Sequence, residues 1–143
     1  MKKILLIAGM LLVGAVAFAG KYEDGLKERM KVAEKKLESK FEGTTADMLN
    51  ASSELTDEWE KEMNKVYDLI LKKLPAKEKT KFKAEQQKWI KDRETKTTKA
   101  YNNYVAEHGE RMAGELSANN RLDITKNRAL ELAKKYDRLN KSK

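Results

Sequence analysis

Among its 143 residues the chain has no cysteine, one proline, one histidine and seven glycines. Without cysteine there is no disulfide, no thiol chemistry and no thiolate metal site, so the folded state must rest on packing alone. His108 is the only histidine, and nothing in the sequence places Ser117 beside it for a Ser-His-Asp arrangement. No Gly-rich phosphate loop and no calcium-loop pattern appears. The carboxylates are plentiful, but they alternate with lysine as surface pairs do. No catalytic constellation, metal site or cofactor site emerges, and the chain does not read as an enzyme. Strand-like alternation is missing too. The scarcity of proline and glycine, with abundant Lys, Glu, Leu and Ala, points to helices throughout.

The one long uncharged run is at the start. Lys2 and Lys3 precede the apolar stretch from Ile4 to Phe18, and Ala17-Phe18-Ala19 is an A-x-A cleavage site followed by Gly20. These are the marks of a secretory signal peptide over residues 1–19. The stretch is short against the roughly 20 residues of a membrane-spanning helix. The expectation is an exported protein, periplasmic or extracellular, with a single helical domain over 20–143 and no stable membrane insertion after cleavage. The formal charge is +8, and removing Lys2 and Lys3 leaves +6. The 23 acidic residues are interleaved with the lysines, the pattern of a solvated helical surface. The basic excess also allows attraction to an anionic envelope or host surface. Export and the absence of a binding motif argue against nucleic acid.

Apolar steps of three and four define the helices. The first runs from Tyr22 to Phe41 through Leu26, Met30, Ala33 and Leu37, and Gly43 stops it. The second starts at Thr44, where Thr44 and Asp47 form a capping box with Asp in the Glu position. Its stripe is Met48, Leu55, Trp59, Met63, Val66 or Tyr67, Ile70 and Leu74. Pro75 breaks the chain and suits the start of a third helix, which carries Phe82, Trp89, Ile90, Tyr101, Tyr104 and Val105 and ends near Gly109. Residues 109–122, GERMAGELSANNRL, read as a loop. Asp123 then caps a last helix through Ile124, Ala129, Leu132, Ala133, Tyr136 and Leu139. The fold class is all-α, a bundle of about four helices built on an antiparallel hairpin turning at Pro75.

Within AEQQKWIKDRET, residues 84–95, Trp89 shares a helix face with Gln86 and Arg93 where a core stripe should continue apolar. The hairpin brings Asn64 level with Gln86, Trp59 level with Trp89, and Asp57 and Glu60 level with Arg93. Arg93 either meets one of those carboxylates or lies along Trp89 with its charge in water; spacing favours neither reading. The first makes Gln86, Trp89 and Arg93 one structural unit with Asn64 and Tyr67, with amide hydrogen bonds exchanged between Gln86 and Asn64.

These residues resemble a known family. Asn64-Lys-Val-Tyr67, Leu74-Pro75 and Glu85-Gln86-Gln87-Lys88-Trp89-Ile90-Lys91-Asp92-Arg93-Glu94 are similar to the L-N-x-x-Y and A-Q-x-x-W-x-x-x-R segments of the LprI-type lysozyme-inhibitor domain. Gly109-Glu-Arg-Met112-Ala113 and Thr125-Lys-Asn-Arg128-Ala-Leu-Glu131-Leu132 resemble its later segments, so the family-like core covers about 45–132. The two cysteines usual in that family would fall near Ala51 and Thr97, and neither position is cysteine here. The resemblance implies an exported helical binding protein whose partner is a protein, a lysozyme in particular. Asn64, Tyr67, Gln86, Trp89 and Arg93 are then the family motif with a structural role. The expected partner-binding segment is the loop around His108, Glu110, Arg111 and Glu115, because loops on a rigid scaffold commonly carry binding. The alternative from a different class is a helical adhesin or envelope scaffold that meets an anionic surface.

Overall fold

A computed structural model describes residues 21–141. The expected signal peptide lies outside the described residues. Four helices follow in order: α1 Tyr22–Phe41, α2 Thr45–Lys73, α3 Ala76–His108 and α4 Glu110–Lys141. No strand occurs among the described residues, and the chain is the all-α bundle expected of its periodicity.

The local signals explain most of the helix ends. Thr44 Oγ1 accepts from the Asp47 N–H at 3.2 Å, and Asp47 Oδ2 accepts from the Thr44 N–H at 2.9 Å, which closes the capping box. Gly43 is required beside it: a Cβ there would sit 2.7 Å from Asp47 Oδ2. Leu74 ends α2 with its N–H still bonded to the Ile70 carbonyl, and Pro75 holds the extended backbone that starts α3. The start of α1 is different, because Lys21 offers no side-chain cap. The Asp137 carboxylate reaches across from the far end of α4 instead and accepts from the N–H groups of Tyr22 at 2.7 Å and Glu23 at 3.0 Å. Two of the free amides that every helix start leaves are satisfied in this way.

The expected loop over 109–122 and the expected cap at Asp123 are both absent. Gly109 alone, at φ 80°, separates α3 from α4, and helix resumes at Glu110. Tertiary burial overrides the turn-forming composition. Ala113 and Ser117 are buried, and Asn119 Oδ1 accepts a hydrogen bond from Ser52 on α2 at 3.0 Å. That burial outweighs the helix cost of Gly114, which is about 1 kcal/mol.

The chain runs up, down, up, down. α2 and α4 point the same way and pack most extensively on each other. The buried residues of α4 include the small Ala113, Ser117, Ala129 and Ala133, which allow close helix packing. α3 packs on α4, and α1 lies along α2 and α4. The backbones of α2 and α3 approach at few points and meet through long side chains: Glu60 with Arg93, Met63 with Gln86 and Tyr67 with Phe82. That register is the one a turn at Pro75 imposes. The core comprises Leu26, Met30 and Leu37 of α1, Leu55, Trp59, Met63, Val66 and Ile70 of α2, Phe82 of α3, and Ala129 and Leu132 of α4. Trp59 is 2 % exposed, as expected of a core aromatic, whereas Trp89 is only partly buried.

Candidate functional site

Two groups of residues stand out, one inside the bundle and one at its end. The inner group explains the mixed face of α3. Gln86 and Arg93 are buried, and so is Arg128, which α4 supplies one turn after Thr125. Arg128 Nε and Nη2 both donate to Gln86 Oε1 at 3.0 Å, Nη2 also donates to Glu85 Oε1 at 2.9 Å, and Nη1 pairs with Glu131 Oε1 at 3.0 Å. Arg93 is held by α2, its two Nη groups donating to the two oxygens of Glu60 at 3.3 Å each, while Nη1 also donates to Thr125 Oγ1 at 3.2 Å. Arg93 Nε lies 3.4 Å from Glu94 Oε1 but makes no hydrogen bond. Both guanidinium groups lie over the Trp89 ring, Arg93 at 5.1 Å and Arg128 at 5.8 Å from its centroid, where its π system attracts both cations.

Of the two readings of Arg93, the carboxylate contact is the one observed, and it coexists with the position over Trp89. The expected partner of Gln86 is corrected. Asn64 is exposed, and Gln86 instead accepts from Arg128 and donates to Met63 Sδ at 3.6 Å. Tyr67 stacks on Phe82, with ring centroids 5.1 Å apart. The unit therefore joins α3 to α4 as much as to α2. Arg128 was the piece missing from the hairpin reading, although Thr125, Arg128 and Glu131 recur every three residues on one helix face, the spacing that signals a shared surface. Three helices contribute to this network, in which the two buried arginines are met by carboxylates that reach in from the surface. Its chemistry is that of a lock on helix packing.

The outer group lies where the α1–α2 turn and the α3–α4 corner come together. His108, Glu110 and Arg111 are exposed, and Glu115 is partly buried beside Phe41, Met48 and Leu49. His108 Nε2 is 3.6 Å from Glu107 Oε2. Two exposed apolar residues, Tyr101 and Met112, flank the corner. Residues 41–50 and 100–120 together carry five carboxylates, Glu42, Asp47, Glu107, Glu110 and Glu115, against one arginine, Arg111, a formal charge of −4. The Asp47 carboxyl is held below its usual range by the hydrogen bonds it accepts from Thr44 and stays ionised. This end is thus acidic within a chain that is basic overall. The residues expected on a loop are present together, but on a tight helical corner with its geometry fixed by Gly109.

No helix among the described residues is long and apolar enough to cross a membrane. No curated protein and no solved structure matches the chain. The family described as lysozyme inhibitor LprI matches residues 37–132 of the 143. The match begins inside α1 rather than at the expected Thr45, contains the whole Trp89 network and the whole acidic end, and omits most of α1. Covering well over half of the sequence, it places this protein in the lysozyme inhibitor LprI family.

Proposed function

We propose that the protein is an exported binding protein that inhibits lysozyme, and that it does so without catalysis of its own. The observation that carries this reading is the acidic corner. Common animal lysozymes are cationic, and a basic inhibitor would repel them if charge were evenly spread. The five carboxylates around Gly109 give a cationic enzyme a local target, with Tyr101 and Met112 as apolar contact area at the same corner. A corner of a single residue, Gly109, between long helices makes a narrow tip that can enter a substrate cleft. His108, Glu110, Arg111 and Glu115, with Glu107, are the proposed binding residues.

Titrating the purified protein into a muramidase assay tests the proposal. The parent should inhibit, and Glu107→Gln with Glu110→Gln should weaken inhibition about tenfold or more while the melting temperature stays unchanged. A parent that leaves muramidase activity untouched at saturating concentration overturns the function. Inhibition that survives in the double variant overturns the location.

A further inference from the structure

The end opposite the acidic corner carries a charge of the other sign. The start of α1, the Pro75 turn and the last two turns of α4 meet there. Residues 21–24, 72–81 and 134–141 hold ten lysines and arginines against four carboxylates, a formal +6 that equals the excess of the whole chain from Gly20 onward. Three of the four carboxylates are engaged. Asp137 caps α1, Glu23 pairs with Lys27 at 2.6 Å, and Asp24 lies 3.8 Å from Lys21. Lys72, Lys77, Lys81 and Lys134 are exposed, and none has a carboxylate within ion-pair distance among the described residues. Lys73 and Lys135 lie over the rings of Tyr136 and Phe82, which carry no formal charge.

We propose that this basic end docks the protein on the surface of an anionic phospholipid membrane. The charges cover the ends of several helices and form an area, not a line, which matches a plane of phosphate headgroups better than a single polymer strand. The exposed large hydrophobic residues, Val32, Ile90, Tyr101 and Met112, all lie elsewhere in the sequence and leave this end without an inserting side chain. Docking is therefore electrostatic and reversible by salt. It turns the acidic corner outward, away from the membrane, and it stands whether or not a lysozyme is the partner.

Co-sedimentation of residues 20–143, the form left by the expected cleavage, with phosphatidylglycerol-containing vesicles tests this. Binding should be absent with pure phosphatidylcholine and should be lost on raising salt. Each lysine near an anionic surface contributes roughly fivefold in affinity, so Lys72→Gln, Lys77→Gln, Lys81→Gln and Lys134→Gln combined should weaken binding by about 100-fold or more. A control with Lys35, Lys91, Lys96 and Lys99 replaced by Gln removes the same charge from other faces and should bind within a few-fold of the parent. The two variants carry the same net charge, so the difference between them reports the basic end. The proposal is overturned by equal binding to phosphatidylcholine, by equal losses in the two variants, or by tighter binding to heparin than to the vesicles at matched anion concentration.

Discussion

Arg128 shows how much one side chain decides here. Its guanidinium satisfies the Gln86 amide oxygen, meets Glu85 and Glu131, and lies over one side of Trp89. Removing it leaves the buried Gln86 amide oxygen without a partner, and Arg128→Ala should cost about 2–4 kcal/mol in urea unfolding. Arg111→Ala, on the exposed corner, should stay within about 0.5 kcal/mol of the parent. Equal effects for the two would mean that the network does not hold the helices. Glu62 is the second such residue, buried on α2 against Arg29 of α1 at 2.7 Å. Burial pushes its carboxyl up, but hydrogen bonds from Arg29 and Lys65, with their charges, outweigh that and hold it below the usual range. A depressed carboxyl stabilises the fold above the ordinary carboxylate range, and that stability disappears as pH falls through the depressed value. Stability measured from about pH 5 down to pH 3 should therefore fall more steeply in the parent than in Glu62→Gln. Parallel curves would show that the pair contributes nothing.

At the scale of the element, α4 is the instructive case. A segment with two glycines, a serine and two asparagines reads as a loop by propensity, yet from Glu110 it is helical because Ala113 and Ser117 are buried and Asn119 bonds Ser52 of α2. Its two glycines play opposite parts. Gly109 has φ 80°, a conformation L side chains rarely adopt, so Gly109→Ala should destabilise by about 1–3 kcal/mol. Gly114 is mid-helix, and a Cβ there meets nothing within 4 Å. Gly114→Ala should therefore raise stability by about 0.5–1 kcal/mol. Thermal unfolding of the two variants checks both signs, and a destabilising Gly114→Ala would mean that the helix does not run through that position. The first helix depends on a distant residue in a similar way, since Asp137 caps it from the last turns of α4.

At the scale of the molecule, the up-down path gathers acidic residues at one end and basic residues at the other. The formal charge alone would predict repulsion from a cationic enzyme. The arrangement predicts the reverse at short range, and salt separates the two. If the acidic corner makes the contact, inhibition of lysozyme should weaken as ionic strength rises, because screening removes a local attraction. If overall repulsion governs the encounter, screening should strengthen it. Inhibition curves at low and at roughly physiological salt decide the sign.

Much of this architecture was legible in the sequence. The ends of α1, α2 and the start of α3 follow from Gly43, the Thr44–Asp47 box and Pro75, because caps and breakers act through neighbours in the chain. The stripe through Leu55, Trp59, Met63 and Ile70 follows from period alone. The register that sets Arg93 opposite Glu60 follows from the length of the turn. Only the tertiary structure decided the rest. The continuity of α4 depends on what Ala113 and Ser117 bury against, which no local propensity contains. The partner of Gln86 comes from Arg128, 42 residues away, and not from the facing helix of the hairpin. The two charged ends arise because residues far apart in the chain, such as Glu42 and Glu110 or Lys77 and Lys134, are brought to the same end by the direction of each helix. Charge order along a chain is a one-dimensional fact, and the field a partner meets is set by the three-dimensional path.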